Sequence, residues 1–129
     1  MIVDTSALVA ILNGEPEAEY LLRRATEAPR VQISAATALE ASIVLDSRSL
    51  PQQRRRLDDL LSVLEVEVVP FDGEQWRLAR AAYQDFGRGS GHPARLNMGD
   101  CYAYALHRLT GEPLLYVGND FAHAGVPRP

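Results

Sequence analysis

The chain has 129 residues, of which 47% are hydrophobic and 23% charged, and its formal net charge is −4. That length suits one compact domain with a real core, and the balance excludes a disordered chain. One cysteine, Cys101, excludes an internal disulfide and fits a reducing compartment, while no apolar run approaches the roughly 20 residues of a membrane helix. No signal peptide is evident at the start, so a cytoplasmic location without a membrane anchor is expected. All thirteen basic residues are arginine, a bias that fits a GC-rich genome better than a special function.

In chain order, residues 1–3 read as a short buried strand and 5–12 as a helix starting beside Asp4, ended by Asn13-Gly14. Pro16 stands near the start of a second helix reaching about Ala28, which Pro29 closes. Residues 31–33 form a second strand. Ser34 then offers a cap to a helix over 36–47, which carries Glu40 in its first turns. Pro51 opens another helix with Leu57, Leu60, Leu61 and Leu64 at helical spacing. Residues 66–69 make a third strand, ended by Pro70, and 73–85 a further helix with Trp76 and Tyr83. The glycines and proline of 87–93 mark a loop. Asn97 caps a helix running to Thr110, where Gly111 stops it. Residues 114–117 are the last strand. Such alternation implies parallel strands with covering helices, a single α/β domain over 1–129.

Four acids stand where element building does not explain them: Asp4 and Asp120 just after apolar strands, Glu40 in a helix, and Asp100 ahead of a buried pattern, Cys101-Tyr-Ala-Tyr-Ala105. The carboxyl edge of a parallel sheet is where open α/β folds build their sites. Carboxylates gathered there repel one another unless a cation neutralises them, and a hard divalent ion, Mg²⁺ or Mn²⁺, suits oxygen ligands. Hydrolysis of a phosphodiester by such an ion asks the protein for carboxylates and little else. Asp4 and Asp100 can ligate directly, with Glu40 and Asp120 ligating, holding water or completing a second ion site. The negative net charge is no obstacle to a nucleic-acid substrate, because bound metal cancels much of it and local distribution matters more than the sum. Three of the acids also have an ordinary reading: Asp4 as a helix cap, Glu40 as a favourable charge near a helix start, Asp120 as a turn residue; Asp100 is harder to dismiss.

Four segments in this order resemble the PIN-domain nucleases, specifically the VapC-type toxins of bacterial toxin–antitoxin pairs. They are Ile2-Val-Asp-Thr-Ser-Ala-Leu8, Glu40 after Ser34-Ala-Ala-Thr37, Leu96-Asn-Met-Gly-Asp-Cys-Tyr-Ala-Tyr-Ala105, and Leu114-Leu-Tyr-Val-Gly-Asn-Asp-Phe121. The resemblance spans essentially the whole chain. It implies a three-layer α/β/α fold around a central parallel sheet, Mg²⁺-dependent endoribonuclease activity, and neutralisation by a small cognate antitoxin. It makes Asp4 and Asp100 metal ligands, with Glu40 and Asp120 completing the acidic pocket. The rival reading is a PIN-like interaction module whose acids hold a cation without cleaving RNA. A haloacid-dehalogenase-type phosphatase needs an aspartate where Ser6 stands; a receiver domain needs a lysine, and a P-loop is absent.

Around the acids, Thr5 and Ser6 can steady Asp4 and a water, and Arg88, His92 and Arg95 can guide an RNA backbone into the site. Arg54-Arg-Arg56 reads as a solvated face or a partner contact. Trp76, Tyr83 and Phe86 read as core or interface, His107 as packed or surface, and Cys101 as a small buried residue. The helices over 17–28 and 54–64 carry more leucine than one core stripe needs, including Leu21, Leu22, Leu60 and Leu61. An amphipathic antitoxin segment is expected to bury that excess and send an arginine to the acids. A symmetric homodimer is expected as well.

Overall fold

The structure, a computed structural model, describes residues 1–48, 50–51 and 54–129. The chain builds β1 (Ile2–Val3), α1 (Thr5–Leu12), α2 (Ala18–Glu27), β2 (Gln32–Ser34), α3 (Ala35–Arg48), α4 (Arg55–Val63) and β3 (Glu67–Val69). It continues through α5 (Gly73–Phe86), α6 (Met98–Thr110), β4 (Leu114–Leu115) and α7 (Asp120–His123). The helix expected from Pro51 onward is α4, and its expected first turn falls partly on residues 52–53, outside the described residues.

Four strands lie in the order β3-β2-β1-β4, all parallel, with Ile2 opposite Gln32 and Leu114 and Val3 opposite Leu115. Side chains alternate across a strand, so one sheet serves two cores. Val3, Ile33 and Leu115 join α1 to α4 on one face, with Leu8, Leu21, Leu45 and Leu57. Ile2, Leu114 and Tyr116 join α5 to α7 on the other, with Leu96, Leu106 and Phe121. This is the three-layer α/β/α arrangement that the resemblance implies, with the parallel strands and covering helices that the alternating pattern called for. At the open edge, β3 exposes Glu67 and Val68, and a charged residue there discourages pairing with another chain.

The helix ends follow local chemistry. Asp72 caps α5 by accepting from Gln75 N–H at 3.0 Å. Gly111 closes α6 at φ 73°, in the left-handed region that glycine enters at little cost. β4 is shorter than the apolar run 114–117 because Val117 N–H leaves the ladder and donates to Ser6 Oγ at 3.0 Å. The loop after α5 is tied rather than open: Leu96 N–H donates to Phe86 O, Arg88 N–H donates to Leu96 O, and Ala94 and Leu96 are buried beneath it. No described helix is long and apolar enough to cross a membrane.

The topology selects one place for a site. From β1 the chain steps outward to β2 and β3, then crosses back to β4 on the other side of β1. The strand order therefore reverses beside β1, and the crevice at the carboxyl ends of β1 and β4 is the switch point at which such sheets bind ligands.

Candidate active site

Asp4 is the first residue past β1 and the N-cap of α1, and it is only 3% exposed. Ser6 donates to its Oδ2 twice, from N–H at 2.9 Å and from Oγ at 2.6 Å. The other oxygen, Oδ1, is buried with no hydrogen-bond partner. One oxygen thus performs the cap and the other is left free. Burial pushes the Asp4 carboxyl up to about 7; the Ser6 bonds oppose this, and the charges of Asp100 and Glu40 add to it.

Asp100 enters from the start of α6 in a reciprocal cap. Asn97 N–H donates to Asp100 Oδ2 at 2.9 Å, and Asp100 N–H donates to Asn97 Oδ1 at 2.8 Å. Again one carboxylate oxygen is held and one is spare. Burial raises this group to about 6, against the Asn97 bond; Asp120 and Glu40 raise it further and Arg88 lowers it.

Glu40, half-buried on α3, accepts from Thr5 Oγ1 through its Oε1. Its Oε2 lies against Gly99, the residue before Asp100. Asp120 is exposed at the first position of α7 and is near enough to raise Asp100. The four acids that the sequence singled out are therefore neighbours, three in the crevice and Asp120 on its rim.

Whether these residues suit a divalent cation turns on donor chemistry. Among the described residues, no group of three or more acidic, histidine or cysteine side chains stands close enough to form a ready-made shell. A small hard cation does not require one, since Mg²⁺ keeps several of its waters and takes one or two carboxylates. Asp4 Oδ1 is buried without a partner, and burial together with the neighbouring acids raises Asp4 and Asp100, so both carboxylates would gain from a cation beside them. The donor set fits a hard divalent ion.

The other singled-out residues separate into three groups. Thr5, Ser6 and Asn97 each hold one of the acids. Arg88 is exposed and acts on Asp100 electrostatically. His92 is half-buried: its Nδ1 accepts from Ala94 N–H at 3.1 Å, and its ring meets Phe86 edge-on at 4.9 Å, so it braces the loop. Arg95 is exposed at φ 51°. His107 Nδ1 pairs with Glu112 O at 2.7 Å, and the buried Cys101 thiol is pushed up to about 12, away from the reactive thiolate. Arg56 reaches Leu12 O and ties α4 to α1.

One surface expectation changes. Leu21 is fully buried in the core, so it is not part of a free leucine surface; Leu22 is exposed, and Leu60 and Leu61 are half-buried. Trp76 and Tyr83, read as core or interface, are exposed, which leaves the interface reading for both. Together with Leu39, Ile43 and Met98 they form an apolar strip that sequence pattern did not reveal, because a helix period shows that a face is apolar without showing whether it is covered.

A family model described as PIN domain matches residues 1–127. The chain belongs to the PIN-domain family. Over 128 residues it is 54% identical to Ribonuclease VapC28 of Mycobacterium tuberculosis, covering 99% of this chain and 96% of that one. It is 47% identical over 126 residues to Ribonuclease VapC42 of the same species, at 98% and 96% coverage. Within the PIN domains it is thus a member of the VapC ribonucleases. Two solved structures share the fold. The M. tuberculosis toxin VapC20, described as cleaving the sarcin–ricin loop, superposes with a TM-score of 0.76 at 20% identity, covering 99% and 97% of the two chains. A toxin–antitoxin complex from Klebsiella pneumoniae gives 0.72 at 22% identity, with 98% and 92% covered.

Proposed function

We propose that this VapC ribonuclease is the toxin of a toxin–antitoxin pair and an Mg²⁺-dependent endoribonuclease, with Mn²⁺ an effective substitute. The observation that carries the metal is Asp4 Oδ1: a buried carboxylate oxygen without a partner, in a residue that burial and two neighbouring acids make costly to ionise without a cation. Asp4 and Asp100 would hold the ion, each through the oxygen its cap leaves free. When bound, the cation supplies charge to the phosphate oxygens and makes water nucleophilic near neutral pH.

The chain's own groups do the rest. Ser6 and Asn97 fix the two ligand carboxylates. Glu40, held by Thr5, stands beside both and can orient the attacking water and accept its proton. Asp120 at the rim can steady the leaving side or a second ion. Arg88, with Arg95 further along the loop, offers positive charge to the RNA backbone. Water attack at phosphorus leaves a 5′-phosphate and a 3′-hydroxyl, and the RNA's own 2′-hydroxyl takes no part. Purified protein should cut RNA with Mg²⁺ or Mn²⁺ and stop with EDTA; cleavage that persists in chelator, or that leaves 2′,3′-cyclic phosphates, refutes the mechanism.

The partners follow from the surfaces. The exposed Leu22 and half-buried Leu60 and Leu61 on α2 and α4 support an antitoxin helix laid over that side. Arg88 already lowers Asp100 from outside the crevice, so an arginine supplied by a partner would find carboxylates to pair with there. The apolar strip on α3, α5 and α6 supports a symmetric dimer. Hollows of about 250 and 520 Å³ flank Met98 and share Tyr102, giving one continuous uncovered surface.

A further inference from the structure

We infer that Gly99 is a positioning residue for the cleavage reaction, chosen because its missing side chain is the space that the Glu40 carboxylate occupies. This rests on the acidic-pocket reading of Glu40. Gly99 is the second residue of α6 and does not lie in the left-handed region, so its backbone does not call for glycine. Glycine inside a helix is also the less stable choice, so its presence needs another cause.

The cause is steric. A Cβ built on Gly99 would overlap Oε2 and the carboxyl carbon of Glu40 and would lie 2.7 Å from Oε1. The group it strikes is the end of a flexible side chain, so the carboxylate would move while α6 stayed in place. The other side of the same carboxylate is fixed, since Thr5 on α1 donates to Oε1. Glu40 is therefore located by two contacts from two elements: a hydroxyl that holds one oxygen, and a bare α-carbon that admits the other. That location puts its charge beside both Asp4 and Asp100. It also lies at the start of α6, where the helix dipole favours a negative group. With any larger residue at 99, Glu40 would lose the Thr5 bond and its place next to Asp4 and Asp100, although all four acids would still be present.

The test compares Gly99→Ala, Glu40→Ala and the double variant, all as full-length protein. In a crystal structure of metal-free Gly99→Ala, the Glu40 carboxylate should be displaced and the Thr5 bond broken, with the Asn97–Asp100 cap and the α6 backbone unchanged. In Mn²⁺-supported RNA cleavage, Gly99→Ala should fall to the level of Glu40→Ala, and the double variant should be no worse than Glu40→Ala within about a factor of two. If Gly99→Ala does not fold alone, recovery of folding in the double variant carries the same conclusion. The inference is overturned if Glu40 keeps its place in the Gly99→Ala structure, if the two losses multiply, or if neither alanine variant at 99 folds. Full cleavage by Glu40→Ala, with the carboxylate displaced in Gly99→Ala, would confirm the steric relationship yet remove both residues from the reaction.

Discussion

Ser6 joins the ends of the neighbouring strands β1 and β4 through one hydroxyl: Oγ donates to Asp4 Oδ2 at 2.6 Å and accepts from Val117 N–H at 3.0 Å. The residue that orients the acid after β1 is thus the residue that satisfies the backbone after β4. Without it, Asp4 could turn its free oxygen away from the crevice, and Val117 N–H would lose its partner.

Ser6→Ala should therefore lower RNA cleavage by roughly tenfold to a hundredfold, the usual effect of removing a group that orients a ligand. It should also cost about 1–2 kcal/mol of stability for the amide left unpaired. Steady-state kinetics and a thermal melt of the same preparation check both. Full activity with the stability loss would make Ser6 a structural strut alone.

Much of this was legible beforehand, and the misses have physical causes. Asp4, Asp100 and their helices could be read because capping rules and strand ends fix where such residues lie. The pairing of Glu40 with Thr5 and Gly99 could not, since it joins three elements and depends on the packing of α3 against α6. Leu21 and Leu22 show the same limit. Both are leucines on one helix, adjacent in sequence, yet one is fully buried and the other exposed. Position around the helix separates them, and only the neighbouring elements decide which side is covered. The short helix α7 is not legible in the sequence because four residues are too few to show a period.

Asp4→Asn and Asp100→Asn should each reduce cleavage by on the order of a hundredfold or more, because each removes ligand charge. Neither should harm the fold, as asparagine caps a helix as well as aspartate does. The pH dependence follows with a definite sign. Both carboxyls stand above their ordinary value of 3.8 in the folded, metal-free protein, Asp4 at about 7 and Asp100 at about 6. Their contribution to stability is therefore complete below about pH 4 and is lost as pH rises through 6 to 7. Metal-free wild type should melt lower at pH 7.5 than at pH 5 relative to both variants, and the curves should converge in acid. Added Mg²⁺ should stabilise wild type more as pH rises, because binding needs the ionised carboxylates. Melts in EDTA that show marked destabilisation of both variants at pH 7.5 would assign the two acids to the fold instead.

Ile43 on α3 and Trp76 on α5 are 61% and 52% exposed, on either side of the Met98 hollows. A two-fold contact across this strip would bury each residue twice, so a charge placed at either acts twice. Ile43→Glu or Trp76→Glu should weaken a dimer on the order of a hundredfold or more, given the cost of burying an unpaired charge. As exposed sites they should leave the melting temperature within a few degrees. Sedimentation equilibrium over a concentration series reads the shift. Wild type that is monomeric throughout, or dimers indifferent to both changes, would remove this strip from the dimer.

The proposed antitoxin surface is tested with residues that face outward. Leu21 is in the core, where a polar replacement would cost several kcal/mol and unfold the chain, so loss of binding by that variant carries no information. Leu22 is exposed on the same helix, and Leu61 is half-buried on α4. Apolar anchors of this kind usually account for about 1–3 kcal/mol each in a helix-in-groove contact. Leu22→Gln and Leu61→Gln should thus weaken binding of the co-expressed antitoxin by roughly tenfold to a hundredfold each. Metal-dependent cleavage of RNA in the absence of antitoxin should be unchanged, because α2 and α4 do not contribute a carboxylate to the crevice. Titration calorimetry against the purified antitoxin, alongside cleavage by the free toxin, separates the two effects. Unaltered affinity in both variants would place the antitoxin elsewhere on the toxin.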